Sequence, residues 1–185
     1  MGVQLWVNRM IGAAQLRSAT YEEVEADHTA NAQALGVVIL AAIASGLSLA
    51  QSGGRGIAIG IIGALVGWVI WAGLAWIIGT KFLPTPETRS DMGELLRTTG
   101  FAASPGIFRI FGAVPLVGWI ITIAAWLWTL ATFVVAVRQA LDYRSTARAL
   151  IVCGIGALVY YAVIAWSFLL LGAGVFGINA IRGGG

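Results

Sequence analysis

The sequence predicts an all-α fold: a polytopic membrane helical bundle of five transmembrane helices, preceded by an amphipathic, interfacial N-terminal segment. Three observations predict it. Hydrophobic residues make up 59% of the 185 and charged residues only 10%, against about 25% charge in a soluble domain. Mean hydropathy is +0.89. Apolar stretches near the roughly 20 residues that a helix needs to cross a bilayer recur along the chain, separated by short loops.

Residues 1–28 read as an interfacial and acidic N-terminal segment. In VQLWVNRMIGAAQL, Val3, Leu5, Trp6, Met10, Ile11 and Ala14 fall near helical spacing, with Arg9 and Arg17 off that face. That pattern suits a helix lying in the membrane surface with Trp6 as its anchor. SATYEEVEADHT follows, where Thr20 and Glu23 carry a capping-box signal for a short acidic helix. No cleavable signal peptide is expected, because the first 30 residues lack an uninterrupted apolar core and carry Glu22, Glu23, Glu25 and Asp27.

The membrane domain is expected over 29–175, with spans at about 33–50, 57–80, 93–114, 116–137 and 148–172, and a Gly-rich tail over 176–185. The loops QSGGRG, KFLPTPETRS and RQALDYRSTAR are short, so successive helices pack as antiparallel neighbours. The third span is the least regular. Asp91 and Glu94 give it a helix-start signal, but ELLRTTGFAASPGIFRIFGAV contains Arg97, Pro105 and Arg109. Arginine at mid-bilayer costs about 2.5 to 3.5 kcal/mol on insertion scales. Both arginines lie near the segment's ends, within snorkelling reach of the interface, and proline is tolerated where neighbours satisfy the freed carbonyl.

Loop charge arbitrates. With five spans and the N-terminus inside, Arg9, Arg17, Lys81, Arg89, Arg97, Arg138, Arg144 and Arg148 fall inside, and Arg55, Arg109 and Arg182 outside. With 93–114 lying on the surface, Arg138, Arg144 and Arg148 join Arg55 on the outside. The first arrangement is the more asymmetric, which places the N-terminus in the cytoplasm and the C-terminus outside.

Chemistry-bearing residues are sparse in the spans. The only histidine, His28, precedes the first span, and the only lysine, Lys81, ends the second. No carboxylate lies within a span apart from Glu94 at an end, which counts against a proton-driven transporter. Serines without histidine lack the base that nucleophilic catalysis needs. Metal sites need clustered His, Cys, Asp or Glu, and none is visible. No catalytic residue, metal or cofactor is expected. The single Cys153 excludes an internal disulfide. The net charge of +3 is scattered one or two per loop, so nucleic acid is not an expected partner.

The spans instead hold packing chemistry. GIAIGIIGALVGW sets Gly60, Gly63 and Gly67 on nearly one face, and a G-x-x-x-G pair lets another helix approach closely. That face serves either internal packing or a partner. Ala41 and Ser45 offer a similar face on the first span. Arg97 and Arg109 are candidates for lipid phosphates or an acidic partner, or else snorkelling anchors. Glu22 and Glu23 are candidate partner contacts on the acidic segment.

YEEVEADHTANAQALGVVILAA, DMGELLRTTGFAASPGIFRI and VAVRQALDYRSTARAL, in that order and spacing, resemble the bacterial branch of the Yip-domain family. Its eukaryotic members are the Ypt/Rab-interacting membrane proteins. The resemblance implies five membrane helices, a cytosolic N-terminus, and a small-residue and proline stretch in the third helix, matched here by Ser104, Pro105 and Gly106. Eukaryotic members carry a longer acidic and aromatic N-terminal region, of which Tyr21, Glu22, Glu23 and Glu25 are a reduced counterpart. A bacterium has no Rab partner, so the resemblance implies a fold more than an activity.

The function expected is therefore a non-enzymatic protein of the bacterial cytoplasmic membrane that organises or scaffolds membrane proteins or lipids. Its expected partners are the lipid bilayer, other integral membrane proteins and a second copy of itself. The alternatives are an accessory subunit of a respiratory or photosynthetic complex and, third, a passive channel or transporter.

Overall fold

The computed structural model describes residues 2–48 and 53–182. The described regular structure is helical: α1 (Gly2–Ala14), α2 (Ser18–Ala26), α3 (Ala30–Ser48), α4 (Gly53–Ile77) running into a π-helical turn (Ile78–Phe82), α5 (Met92–Ala102), a 3-10 helix (Ser104–Ala113), α6 (Gly118–Ala140) and α7 (Thr146–Arg182). Among the described residues, four stretches are long and apolar enough to cross a membrane: Ala30–Leu47, Ile57–Phe82, Gly118–Ala140 and Thr146–Trp166. The backbone of α7 stays helical over 176–182, where the sequence pattern suggested a tail.

The segment 93–114 is not one continuous helix. Asp91 caps α5 through a complete capping box: its Oδ1 accepts from Glu94 N, and Glu94 Oε2 accepts from Asp91 N, both at 2.9 Å. The helix then breaks at Ala103, where an α-type bond from residue 105 to the Phe101 carbonyl is impossible because proline has no N–H. Ser104 Oγ donates to that carbonyl instead, at 2.6 Å. Beyond it the chain tightens into the 3-10 helix, with Ser104, Pro105 and Gly106 all buried.

The register of this broken segment is set by its neighbours. Gly100 lies against Ala34 and Gly106 against Ala41, and Arg109 donates to Ser45 Oγ at 3.4 Å. The segment therefore runs parallel to α3 along the length of that helix. Against α6 it runs antiparallel: Thr132 Oγ1 donates to Ala102 O at 2.7 Å, and Phe108 stacks on Trp128 with centroids 5.5 Å apart. It starts at the end of the bundle where the turn after α4 meets Tyr143, whose hydroxyl donates to Gly79 O and Leu83 O. It finishes where α6 begins.

The N-terminal helices differ from the sequence expectation in orientation. Arg9 is buried on the inner side of α1, held by Glu23, Asp27 and Gln33, whereas Val3, Leu5, Val7 and Ile11 face outward. Trp6 packs inward rather than outward, donating to Gln33 O at 3.1 Å. The far end of α1 meets α6, where Trp128 Nε1 donates to Ala14 O at 2.7 Å. The helix thus forms a strap from α3 to α6. The Thr20–Glu23 capping box does not form: α2 starts earlier, at Ser18, with Arg17 as an N-cap that makes no side-chain bond.

Two buried clusters knit the bundle. One joins Tyr21, Val24, Ala34, Val37, Phe101 and Ala136. The other joins Ala72, Ile78, Leu95, Val137, Leu141 and Val152. The outer face of α4 stays uncovered among the described residues, with Ile59, Ile62, Val66, Val69 and Ile70 exposed.

Candidate functional site

The end of the bundle that gathers the loops after α4 and α6 carries a polar cleft of ≈ 540 Å³. Its walls come from α2, α5, the end of α6 and the chain after it: Glu22, Glu25, Glu94, Arg138, Asp142 and Arg144 are the charged groups that line it. Asp142 sits in the left-handed region at φ 53, a conformation that aspartate tolerates better than most residues. Its Oδ2 accepts from Arg89 N at 3.2 Å. Glu22 accepts from Gln139 Nε2 at 2.9 Å, and Arg138 Nε donates to Tyr143 O at 3.2 Å. Arg144 leans away to pair with Glu87 at 3.1 Å.

Arg97 is the anchor beneath this cleft, and its place corrects the sequence reading. It neither snorkels nor meets lipid, since it is only 2% exposed. Its Nε donates to Val24 O and Glu25 O, both at 3.1 Å, and its second terminal nitrogen to Glu25 O. These carbonyls belong to the last turn of α2, whose C-terminal groups lack intrahelical donors and carry the negative end of the helix dipole. Among the described residues no carboxylate lies within ion-pair distance of Arg97.

Glu25 is therefore fixed through its backbone while its carboxyl stands in the cleft. Burial, then the charges of Glu94 and Asp142, push that carboxyl up to about 7, with Arg97 opposing and Glu22 adding a smaller push. Asp27 behaves oppositely. Bonds from Thr29 and Arg9 hold it down to about 2, so the clamp on α1 stays ionised while Glu25 titrates.

The sign follows from linkage. A carboxyl raised on folding stabilises the docked form below its unfolded value, 4.5, and loses that contribution as pH rises through about 7. Amide exchange in α2, corrected for the intrinsic rate, is expected to speed up between pH 5 and pH 8. Glu25→Gln is expected to flatten that rise. An unchanged pH profile in the variant would show that Glu25 is not the titrating group.

The remaining sequence candidates scatter. Glu23 pairs with Arg9 at 2.9 Å, so it is engaged within the chain. Arg109 lies on the 3-10 helix against Ser45 and Gly106, away from the cleft. The glycine face divides: a side chain at Gly67 would meet the Tyr160 hydroxyl at 2.8 Å, whereas one at Gly60 or Gly63 would meet nothing within 4 Å among the described residues. Sequence reasoning missed Asp142 and Arg138 as neighbours of the acidic helix. The available signal was topological, because the YEEVEA segment and the loop RQALDYRSTAR fall on one side in the five-span arrangement.

No curated protein and no solved structure matches the chain. The family model of the Yip1 domain matches residues 16–167, which takes in α2, the broken α5 segment with Ser104, Pro105 and Gly106, and the four described stretches long enough to span a bilayer. An acidic helix pinned to a membrane bundle by Arg97 is thus part of the matched region, and the chain belongs to the Yip1 domain family.

Proposed function

We propose that this Yip-type membrane protein is a non-enzymatic organiser, crossing the bilayer five times and binding another integral membrane protein, or a second copy of itself, along the open face of α4. The observation that carries this reading is the divided glycine face. Gly67 is used inside the bundle, while Gly60 and Gly63, among exposed Ile59, Ile62 and Val66, meet no described neighbour. In lipid there is no hydrophobic drive between helices, and close backbone approach at small residues supplies the packing instead.

The fifth crossing is supported by the run of the broken segment beside α3. Its 11-residue α-helix and 10-residue 3-10 helix add up to about 35 Å if collinear, against about 30 Å of hydrocarbon. With that count, the positive-inside asymmetry puts the polar cleft and α2 in the cytoplasm of a bacterium and the C-terminus outside.

Gly63→Leu is expected to leave the fold and insertion intact and to abolish most co-purification of the partner in mild detergent. Undiminished recovery would remove this face from the account. A stoichiometric large assembly in the wild-type eluate would instead make the chain an accessory subunit, bound through the same surface.

A further inference from the structure

The π-helical end of α4 holds a carbonyl that its own helix does not serve. Leu83 N donates to Ile78 O at 2.9 Å, five residues back, whereas an α-helix would send it four back, to Gly79 O. The next amide in line belongs to Pro84, which has no N–H. Gly79 is buried, so water is kept from its carbonyl. The Tyr143 hydroxyl supplies the donor instead, at 3.1 Å, and the same hydroxyl lies 2.7 Å from Leu83 O. One side-chain proton is thus shared between the two ends of the π-helical turn.

The loop between α6 and α7 holds that hydroxyl in place. Leu141 fills the space where a side chain at Gly79 would stand. Arg148 covers the Tyr143 ring, 5.8 Å from its centroid, and donates to Pro84 O at 3.3 Å. Asp142 and Arg144 bond across to Arg89 N and Glu87. On its other side the same turn, through Asp142, Tyr143 and Arg144, is a wall of the polar cleft. Two arrangements compete for Gly79 O. In the one observed, Leu83 N takes Ile78 O and Tyr143 serves Gly79 O. In the other, Leu83 N moves up by one residue to Gly79 O, the turn closes as α-helix, and the hydroxyl keeps Leu83 O. The two differ by one residue of register. That is about 1.5 Å along the axis and up to about 100° of rotation, shared between α4 and the loop that follows.

We propose that Tyr143 is the latch of a register switch in α4, which regulates partner binding along the open Gly60 and Gly63 face. The switch is discrete, because the Leu83 amide has one proton and two carbonyls to choose between. The regulatory role rests on the reading of that face as a docking surface. With the latch closed, Gly60 and Gly63 stand open for the close backbone approach of another helix. With the latch withdrawn, Gly79 O lacks a donor in the π arrangement and gains one in the α arrangement. The turn winds up, α4 shifts, and the glycines no longer meet the partner squarely.

The test uses the full-length protein with Cys153→Ser and nitroxides at Ile70→Cys on α4 and Leu158→Cys on α7, both exposed positions. Tyr143→Phe keeps the ring beneath Arg148 and removes only the hydroxyl. It is expected to shift the 70–158 distance distribution and to lower partner recovery in mild detergent several-fold. A control pair at Ile123→Cys on α6 and Leu158→Cys should keep its distance. Adding Pro84→Ala to Tyr143→Phe supplies the amide that the π arrangement lacks, and should restore both distance and recovery. An unchanged 70–158 distribution in Tyr143→Phe, or a shift that Pro84→Ala does not reverse, would overturn the switch. A shift with undiminished recovery would overturn its link to the docking face. Should Gly63→Leu alone leave recovery intact, the docking reading fails and the regulatory role falls with it, while the distances report on the switch separately.

Discussion

Replacing Arg97 by alanine is expected to release α2 from the bundle. The guanidinium is the donor that the structure supplies to Val24 O and Glu25 O, and it also reaches Asn31 Oδ1 at 3.5 Å. Alanine leaves these carbonyls facing a closed pocket with no donor. Hydrogen bonds to a charged group are worth about 1.5 to 3 kcal/mol, and a stranded buried acceptor costs about 1 to 3. A loss of roughly 3 kcal/mol in the docking of α2 follows. Exchange of the α2 amides should rise about a hundredfold, while those of α6 remain protected. Arg97→Lys should fall between the two, because an ammonium lacks the planar fork that serves adjacent carbonyls. Unaltered α2 exchange in Arg97→Ala would sink this account. A second readout links the anchor to the cleft: burial is the largest push on Glu25, so undocking of α2 should let that carboxyl fall back toward the ordinary carboxylate range.

Gly100→Leu is expected to wedge α3 from α5. Even its Cβ would stand 2.7 Å from Ala34 Cβ, 3.2 Å from Ala34 Cα and 3.1 Å from Trp68 Cζ2. The first two atoms belong to a fully buried alanine and its backbone, which have nowhere to move. Moving the Trp68 ring also breaks its bond to Thr99 Oγ1 at 3.1 Å. Overpacking of this kind costs about 1 to 3 kcal/mol and sometimes more. Thermal unfolding in detergent should show the loss for Gly100→Leu and almost none for Gly63→Leu, whose surroundings are open among the described residues. Equal effects at the two glycines would mean that α3 and α5 are not packed this closely.

The apolar runs of α3, α4, α6 and α7 were legible because crossing length and composition suffice to find them. The Asp91–Glu94 box was legible too, since its chemistry is local. Arg97 was not. Whether an arginine snorkels or caps a helix more than 60 residues away depends on tertiary placement that spacing does not encode. The places of Trp6 and Arg9 were not legible for a related reason. Periodicity reports that one side of α1 is apolar and the other polar, but not that the Trp6 indole turns in to Gln33 and that Arg9 pairs with Glu23 and Asp27 beneath the helix. The glycine row was found on one helix, but only the neighbour Tyr160 reveals that it serves two purposes.

The strap also has a consequence for the order of assembly. The contacts of the strap and of α2 with α6 are among the longest in the chain by sequence: Tyr21 to Thr132 spans 111 residues, Ala14 to Trp128 spans 114 and Glu22 to Gln139 spans 117. A ribosome moving at about 5 to 20 residues per second takes roughly 6 to 23 seconds to supply that partner. During this interval α1 and α2 have left the ribosome while the surface that receives them does not yet exist. The strap is therefore among the last parts to dock although it is synthesised before the helices that receive it, and closing it marks the completion of the helices beneath.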